Sequence, residues 1–161
     1  MEKIEYAPIG VIHSEFKEPK GTPIQSSVSG NARGTVEVFQ KYAEGLEDIE
    51  GFSHIFLIYH FHLSKKVSLK VKPYLDDLRH GVFATRAPGR PNPVGVSVVR
   101  LLRVEGNILH IRGADIVEGT PLLDIKPYVP EFDIHEAPET GWIEENVHKL
   151  SKSRDDGRFI K

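Results

Sequence analysis

Residues Phe52 to Leu63, FSHIFLIYHFHL, are apolar on both alternating faces. A strand with one wet face places polar residues at every second position, so this run predicts a central strand buried on both sides. The segments around it are short and extended too. Ile4 to His13 predicts a first strand, and Gly34 to Phe39 alternates Val36 and Val38 with polar neighbours. Leu69 to Tyr74 sets Leu69, Val71 and Pro73 against lysines. Val96 to Val104 and Ile108 to Arg112 flank Glu105-Gly106-Asn107, which predicts a compact hairpin. Further short extended pieces, from Ile116 to Ile125, surround the turn Glu118-Gly119-Thr120-Pro121. Many short strands at close spacing predict a mainly β domain, either a barrel or a sandwich.

Helix is expected in two places only. Tyr42 to Ile49 suggests a short helical turn, and Trp142, Ile143, Val147 and Leu150 form a C-terminal stripe. Phe16 to Arg33 is a long loop rich in Pro, Gly, Ser and Lys, of the kind that either binds ligands or is disordered. The charged tail from Ser151 to Lys161 is expected to be solvated.

At 161 residues the chain is one domain, long enough to bury a core. Its 21 Lys and Arg against 23 Asp and Glu give a net charge of −2, so no global field draws it to nucleic acid. Any such contact must use a local patch. Cysteine is absent, which excludes disulfides, zinc-thiolate sites and thiol nucleophiles. No signal core precedes the domain and no long apolar span follows, so a cytoplasmic protein without membrane contact is expected.

The most unusual segment runs from Gly81 to Leu102, GVFATRAPGRPNPVGVSVVRLL. Pro88, Pro91 and Pro93 restrict themselves and the residues before them, which include Ala87, Arg90 and Asn92. A loop that stiff holds Arg86 and Arg90 in place before a ligand arrives, and preorganisation lowers the ordering cost of binding. The alternative is a rigid connection with solvated arginines. Lys65, Lys66, Lys70, Lys72 and Arg79 lie just upstream, opposed by Asp76 and Asp77. With the arginines they form either a face for phosphates or a lysine-rich edge that resists aggregation.

His60 and His62 share a strand face, with His54 six residues before His60. No carboxylate nearby completes a metal set, so no metal is expected, and His62 at the strand end is the better pocket residue. Small residues Gly113 and Ala114 precede Asp115, which either accepts a hydrogen bond from a ligand or caps a turn. Asp124 and Lys126 fall on one face as an ion pair. No GxGxxG, Walker, GxSxG or HExxH pattern occurs. From the residues alone the chain is a mainly β domain with a preorganised polar site.

ATRAPGRPNPVGVSVVRL (Ala84 to Leu101) followed by DIVEGTPLLDIKPYVP (Asp115 to Pro130) resembles the two signature blocks of the TrmO (TsaA-like) family. PIGVIHSEFK (Pro8 to Lys17) and GLEDIEGFSHIFLIYHFH (Gly45 to His62) extend the likeness, which covers roughly residues 4 to 132. The resemblance implies a small single-sheeted β-barrel, not a Rossmann-like fold, over 4–132, with a short, partly helical C-terminal extension over 133–161. It implies an S-adenosylmethionine-dependent methyltransferase, working as a homodimer. Its substrate would be the N6 nitrogen of threonylcarbamoyl-adenosine beside the anticodon of tRNA.

By position, the resemblance assigns cofactor binding to Pro23, Ile24 and Gln25, to His62 and Leu63, and to Arg86 and Val96. It adds the segment Arg112, Gly113, Ala114 and Asp115, with Asp115 as either catalytic base or cofactor anchor. Where the family often has Pro-Arg-Gln, this chain has Pro23-Ile24-Gln25, so a guanidinium is missing. Lys65, Lys66, Lys70 and Arg90 are the candidates for contact with tRNA. Two other classes stay open: a noncatalytic barrel that binds S-adenosylmethionine or RNA, and a methyltransferase with another substrate.

Overall fold

A computed structural model describes residues 2–25 and 30–160. Six strands close into an antiparallel barrel: β1 (Gly10–Ser14), β2 (Arg33–Val38), β3 (His54–His60), β6 (Val94–Glu105), β7 (Ile108–Arg112) and β8 (Thr120–Pro127). Around the barrel the order is β1-β2-β7-β6-β3-β8, and β8 pairs back onto β1. The remaining two, β4 (Lys70–Val71) and β5 (His80–Gly81), form a separate two-stranded ribbon.

Alternation along each strand fills the interior. Ile12, Val36, Leu57, Leu109, Ile111 and Leu122 are completely shut from solvent. Each such aliphatic side chain stabilises the fold by about 1.5–3 kcal/mol when buried. Closure also uses two irregularities, where β3 slips against β8 at Ile58/Tyr59 and β6 slips against β7 between Leu101 and Arg103. Bulges of this kind add twist and bend a sheet toward closure.

β3 is central, flanked by β6 and β8. Its inward residues Ile55, Leu57 and Tyr59 are buried, whereas outward Phe56, Ile58 and His60 are only half-buried. The expectation of burial on both faces therefore holds for one face and half-holds for the other. A closed barrel has one filled interior, and its outer face is covered here by single contacts such as Phe56 on the Tyr128 ring, 5.5 Å between centroids. The hairpin at Gly106-Asn107 is as expected: Gly106 takes φ 61°, and Asn107 donates its side-chain amide to the Val38 carbonyl at 2.6 Å.

Several boundaries differ from the sequence reading. The first strand begins at Gly10, and the Leu69 to Tyr74 run contributes only Lys70–Val71 to a ladder. Tyr42 to Ile49 is not one helix but two 3₁₀ segments, Gln40–Leu46 and Ile49–Gly51, broken by Asp48 at φ 65°. The C-terminal stripe likewise becomes 3₁₀ turns, Gly141–Ile143 and Val147–Lys152, after the single-turn α1 (Pro130–Asp133). Trp142 docks on its own against His80 and the Ala84 carbonyl while Val147 stays exposed, so no continuous helical face is required. The tail expected to be solvated is also docked. Its charges pair locally, as Arg158 with Asp156 at 2.6 Å, while Phe159 packs edge-on to Tyr74.

Candidate ligand site

One cavity of about 780 Å³ opens beside the ends of β3 and β6. Its floor is built where Gly95 on β6 faces Tyr59 on β3. A Cβ at Gly95 would strike the Tyr59 ring and come within 2.8 Å of Phe61, so only glycine leaves these two rings undisturbed. They meet edge to face, 5.4 Å apart.

The proline-stiffened loop forms one wall. It begins with a 3₁₀ turn, Val82–Ala84, which Thr85 closes by donating Oγ1 to the Val82 carbonyl at 2.9 Å. Arg90 turns inward on its own loop, donating Nη1 to the carbonyls of Thr85 (3.1 Å) and Ala87 (3.4 Å). From outside, the Ser68 amide donates to the Gly89 carbonyl at 3.0 Å and the Phe61 amide to Pro93 at 2.8 Å. Proline rigidity is thus reinforced by hydrogen bonds at both ends of the loop. Arg86 is exposed and reaches across to the N-terminal loop, donating Nη1 to Gln25 Oε1 at 2.7 Å.

A polar chain enters the opposite side. Ser97 donates to Asp115 Oδ1 at 2.6 Å, and its only hydroxyl proton is used there. The 3.0 Å contact between Tyr59 and Ser97 must therefore be donated by Tyr59. Burial, then the neighbouring Asp115 carboxylate, push the Tyr59 phenol well above its ordinary range, so it stays protonated as this donor. Burial and His60 lower the pKa of His62, which keeps that ring neutral near pH 7.

Pro23, Ile24, Gln25, His62, Leu63, Arg86, Arg90, Val96 and Asp115 all line the cavity. Arg112, Gly113 and Ala114 do not line it. Ala114 is wholly buried in the core, and Gly113 takes φ 87° and donates its amide to Ala32 at 2.9 Å, turning the chain so that Asp115 faces inward. Arg112 pairs in register with Arg33 and Arg100 on neighbouring strands. Lys65, Lys66 and Lys70 are exposed outside the cavity, beside the arginine loop that the Ser68–Gly89 bond ties to them. Sequence reasoning missed Tyr59 and Ser97. The available signal was Ser97, a hydroxyl that shares its strand face with Gly95, Val99 and Leu101.

Residues 11–134 match the tRNA-methyltransferase O N-terminal domain. The chain belongs to the TrmO family. It is 66% identical over 155 residues to a probable S-adenosyl-L-methionine-binding protein of Pyrococcus abyssi, covering 96% of this chain and 84% of that one. It is 35% identical over 150 residues to a tRNA (adenine(37)-N6)-methyltransferase of Mus musculus, covering 89% of this chain and 34% of the mouse protein. The crystal structure of TrmO from Pseudomonas aeruginosa superposes with a TM-score of 0.72 at 40% identity, covering 88% of this chain and 63% of that one. This TrmO-family barrel thus spans less than two thirds of the solved bacterial chain and about a third of the mouse protein.

Proposed function

We propose that this TrmO-family chain is an S-adenosylmethionine-dependent methyltransferase that modifies the N6 nitrogen of threonylcarbamoyl-adenosine beside the anticodon of tRNA. The observation that carries the reading is the cavity with Arg86 on one wall and the Asp115–Ser97–Tyr59 chain on another. Its volume of about 780 Å³ falls within the span of small-molecule sites, roughly 300–1,000 Å³. Phe61, Leu63, Ile116 and Trp142 offer apolar surface for a base, and Arg86 is a preorganised partner for a carboxylate. These residues fit the cofactor.

Bound there, S-adenosylmethionine would supply a methyl group activated on a sulfonium. Everything else falls to the protein. Arg86 holds a carboxylate, of the cofactor's methionine part or of the threonyl group, in place of the Gln25 amide it now binds. Asp115 accepts the proton that the target nitrogen must lose. Ser97 and Tyr59 fix the carboxylate's direction. With the cofactor bound, these residues would act by holding the target nitrogen in position to receive the methyl group. A neutral His62 adds no positive charge beside a cationic cofactor.

The reading includes a homodimer in the cytoplasm, where tRNA resides. Support for the dimer comes from the outer face of β6 and β3, where Val94 and Val96 are 41% and 51% exposed beside His60 and Ile58. Val96 also lines the cavity, so this apolar face is continuous with the site. Among the described residues no helix is long and apolar enough to cross a membrane.

The test is methyl incorporation from labelled cofactor into tRNA with and without the threonylcarbamoyl group. Transfer that requires this group is the expected result. Cofactor binding without incorporation into either tRNA would favour a noncatalytic barrel, and transfer to plain tRNA would correct the substrate. Sedimentation of a fully active monomer would remove the dimer.

A further inference from the structure

The family match ends at residue 134, yet the cavity wall does not. Trp142, Ile143, Leu150, Asp155, Phe159 and Ile160, all beyond that point, face the same space as Arg86 and Asp115. They are held there by a series of specific bonds. Trp142 donates Nε1 to the Ala84 carbonyl at 2.8 Å and stacks on His80, 4.5 Å between centroids. Lys149 donates Nζ to the Leu75 carbonyl at 3.3 Å. Arg158 donates Nη1 to the Pro73 carbonyl at 3.0 Å and lies over the Tyr74 ring at 4.8 Å.

The segment also grips the N-terminal loop. The Asp155 amide donates to the Thr22 carbonyl at 2.9 Å, and the Gly21 amide donates to the Asp155 carbonyl at 2.7 Å. Arg154 completes a bridge to Pro23. Through these bonds, a strap outside the family domain fixes the loop that presents Pro23, Ile24 and Gln25. Gln25 is in turn the partner of Arg86.

We propose that residues 141–160 are a built part of the ligand site, clamping the Thr22–Gln25 loop and presenting the Asp155 carboxylate to a cationic group of the ligand. The proposal rests on the methyltransferase reading, whose cofactor carries both an ammonium and a sulfonium. Asp155 accepts the Gly157 amide on Oδ1 at 2.7 Å, which holds the carboxylate at the cavity wall rather than out in water. Its burial raises its pKa, and the buried Tyr74 hydroxyl beside it is raised by burial and then by Asp155 itself. The Tyr74 hydroxyl, the Gly157 amide and the Arg158 charge offset that burial only in part, and a cation of the ligand would relieve the rest. The strap thus gives this chain a wall whose residues come from outside the family domain.

Calorimetric titration with S-adenosylmethionine and S-adenosylhomocysteine tests this in the full chain. Two variants serve: Asp155→Asn, which keeps both backbone bonds to the N-terminal loop, and the pair Arg158→Ala with Phe159→Ala, which unpins the strap. Each is expected to weaken S-adenosylmethionine binding by at least about tenfold, the scale of one lost charge-assisted contact. The melting temperature of ligand-free protein should stay near wild type for Asp155→Asn. Wild-type affinity in both variants would overturn the proposal while leaving the methyltransferase reading intact. Should the paired variant not fold, Asp155→Asn alone decides. Failure of the wild type to bind either compound overturns the cofactor reading, and the strap's ligand role with it.

Discussion

Ser97 and Asp115 lie 18 positions apart in sequence, and the barrel brings their side chains to 2.6 Å. Behind them Tyr59 donates to Ser97, so one buried hydroxyl links the core to the ligand cavity. Ser97→Ala would leave the Tyr59 hydroxyl buried without its acceptor and release Asp115 from its fixed direction. An orphaned buried donor costs about 1–3 kcal/mol. Urea unfolding should record a loss of that size. Single-turnover methylation should fall as well, and rescue of both by Ser97→Thr would confirm that the hydroxyl is responsible.

Asp115→Asn keeps the size of the side chain but cannot accept a proton as a base. Methyl transfer in a single turnover should fall by roughly 10²–10⁴, the usual span for a positioned general base. Cofactor affinity should change little. An affinity loss with an unchanged rate would reassign Asp115 from base to anchor.

Arg86→Ala removes an exposed guanidinium whose hydrogen bond to Gln25 joins two loops across the cavity. No core contact depends on it, so thermal stability should be close to wild type. Loss of a charge-assisted contact should weaken ligand binding by about 1.5–3 kcal/mol. Calorimetry with cofactor and filter binding with modified tRNA would show which carboxylate it holds. Full affinity for both would exclude the role.

The parts of this site that were legible in the sequence are those whose physics is local. Pro88, Pro91 and Pro93 stiffen the arginine loop wherever it lies in the fold, and Gly106-Asn107 turns a hairpin from its own backbone preferences. Asp124 and Lys126 meet at 2.8 Å because alternate strand residues share a face. The pairing of β8 with β1 is another matter, since nothing in either strand alone specifies its partner. Trp142 and Phe159 were obscure for a related reason. Periodicity puts Trp142 in a helical stripe and leaves Phe159 in a charged tail, whereas each is a separate anchor whose docking depends on His80 and Tyr74 far upstream.

Acid should loosen the end of the barrel opposite in kind to the ligand site, where charge rather than apolar surface dominates. Glu118 accepts from His13 Nδ1 at 2.8 Å and from the Ser14 amide at 2.8 Å. The His13 hydrogen bond first, then the Ser14 amide, hold its carboxyl below the ordinary value of 4.5. A depressed carboxylate stabilises the fold above its unfolded pKa, and that contribution is lost as pH falls through the folded value. Melting temperature should therefore decline between about pH 5 and pH 3, and the decline should be shallower in Glu118→Gln. Identical pH profiles for the two proteins would rule out this contribution.

Binding of tRNA should depend on charges that the cavity does not use. Lys65, Lys66 and Lys70 are exposed, and the Ser68–Gly89 bond keeps their segment against the arginine loop at the cavity rim. Arg90 is committed in part to the Thr85 and Ala87 carbonyls, which leaves the lysines as the freer phosphate partners. With a net charge of −2 the chain has no general attraction for nucleic acid, so such a patch has to act locally, and two copies in a dimer would double it. Each phosphate neutralised releases condensed counterions, giving a slope of log affinity against log salt of about 0.7–0.9 per contact. Replacing all three lysines by Ala should weaken tRNA binding at low salt and flatten that slope. Cofactor affinity should hold, because none of the three lines the cavity. If affinity and slope for tRNA are both unchanged, the lysines play no part in docking, and the contact falls to Arg86 and Arg90 at the rim.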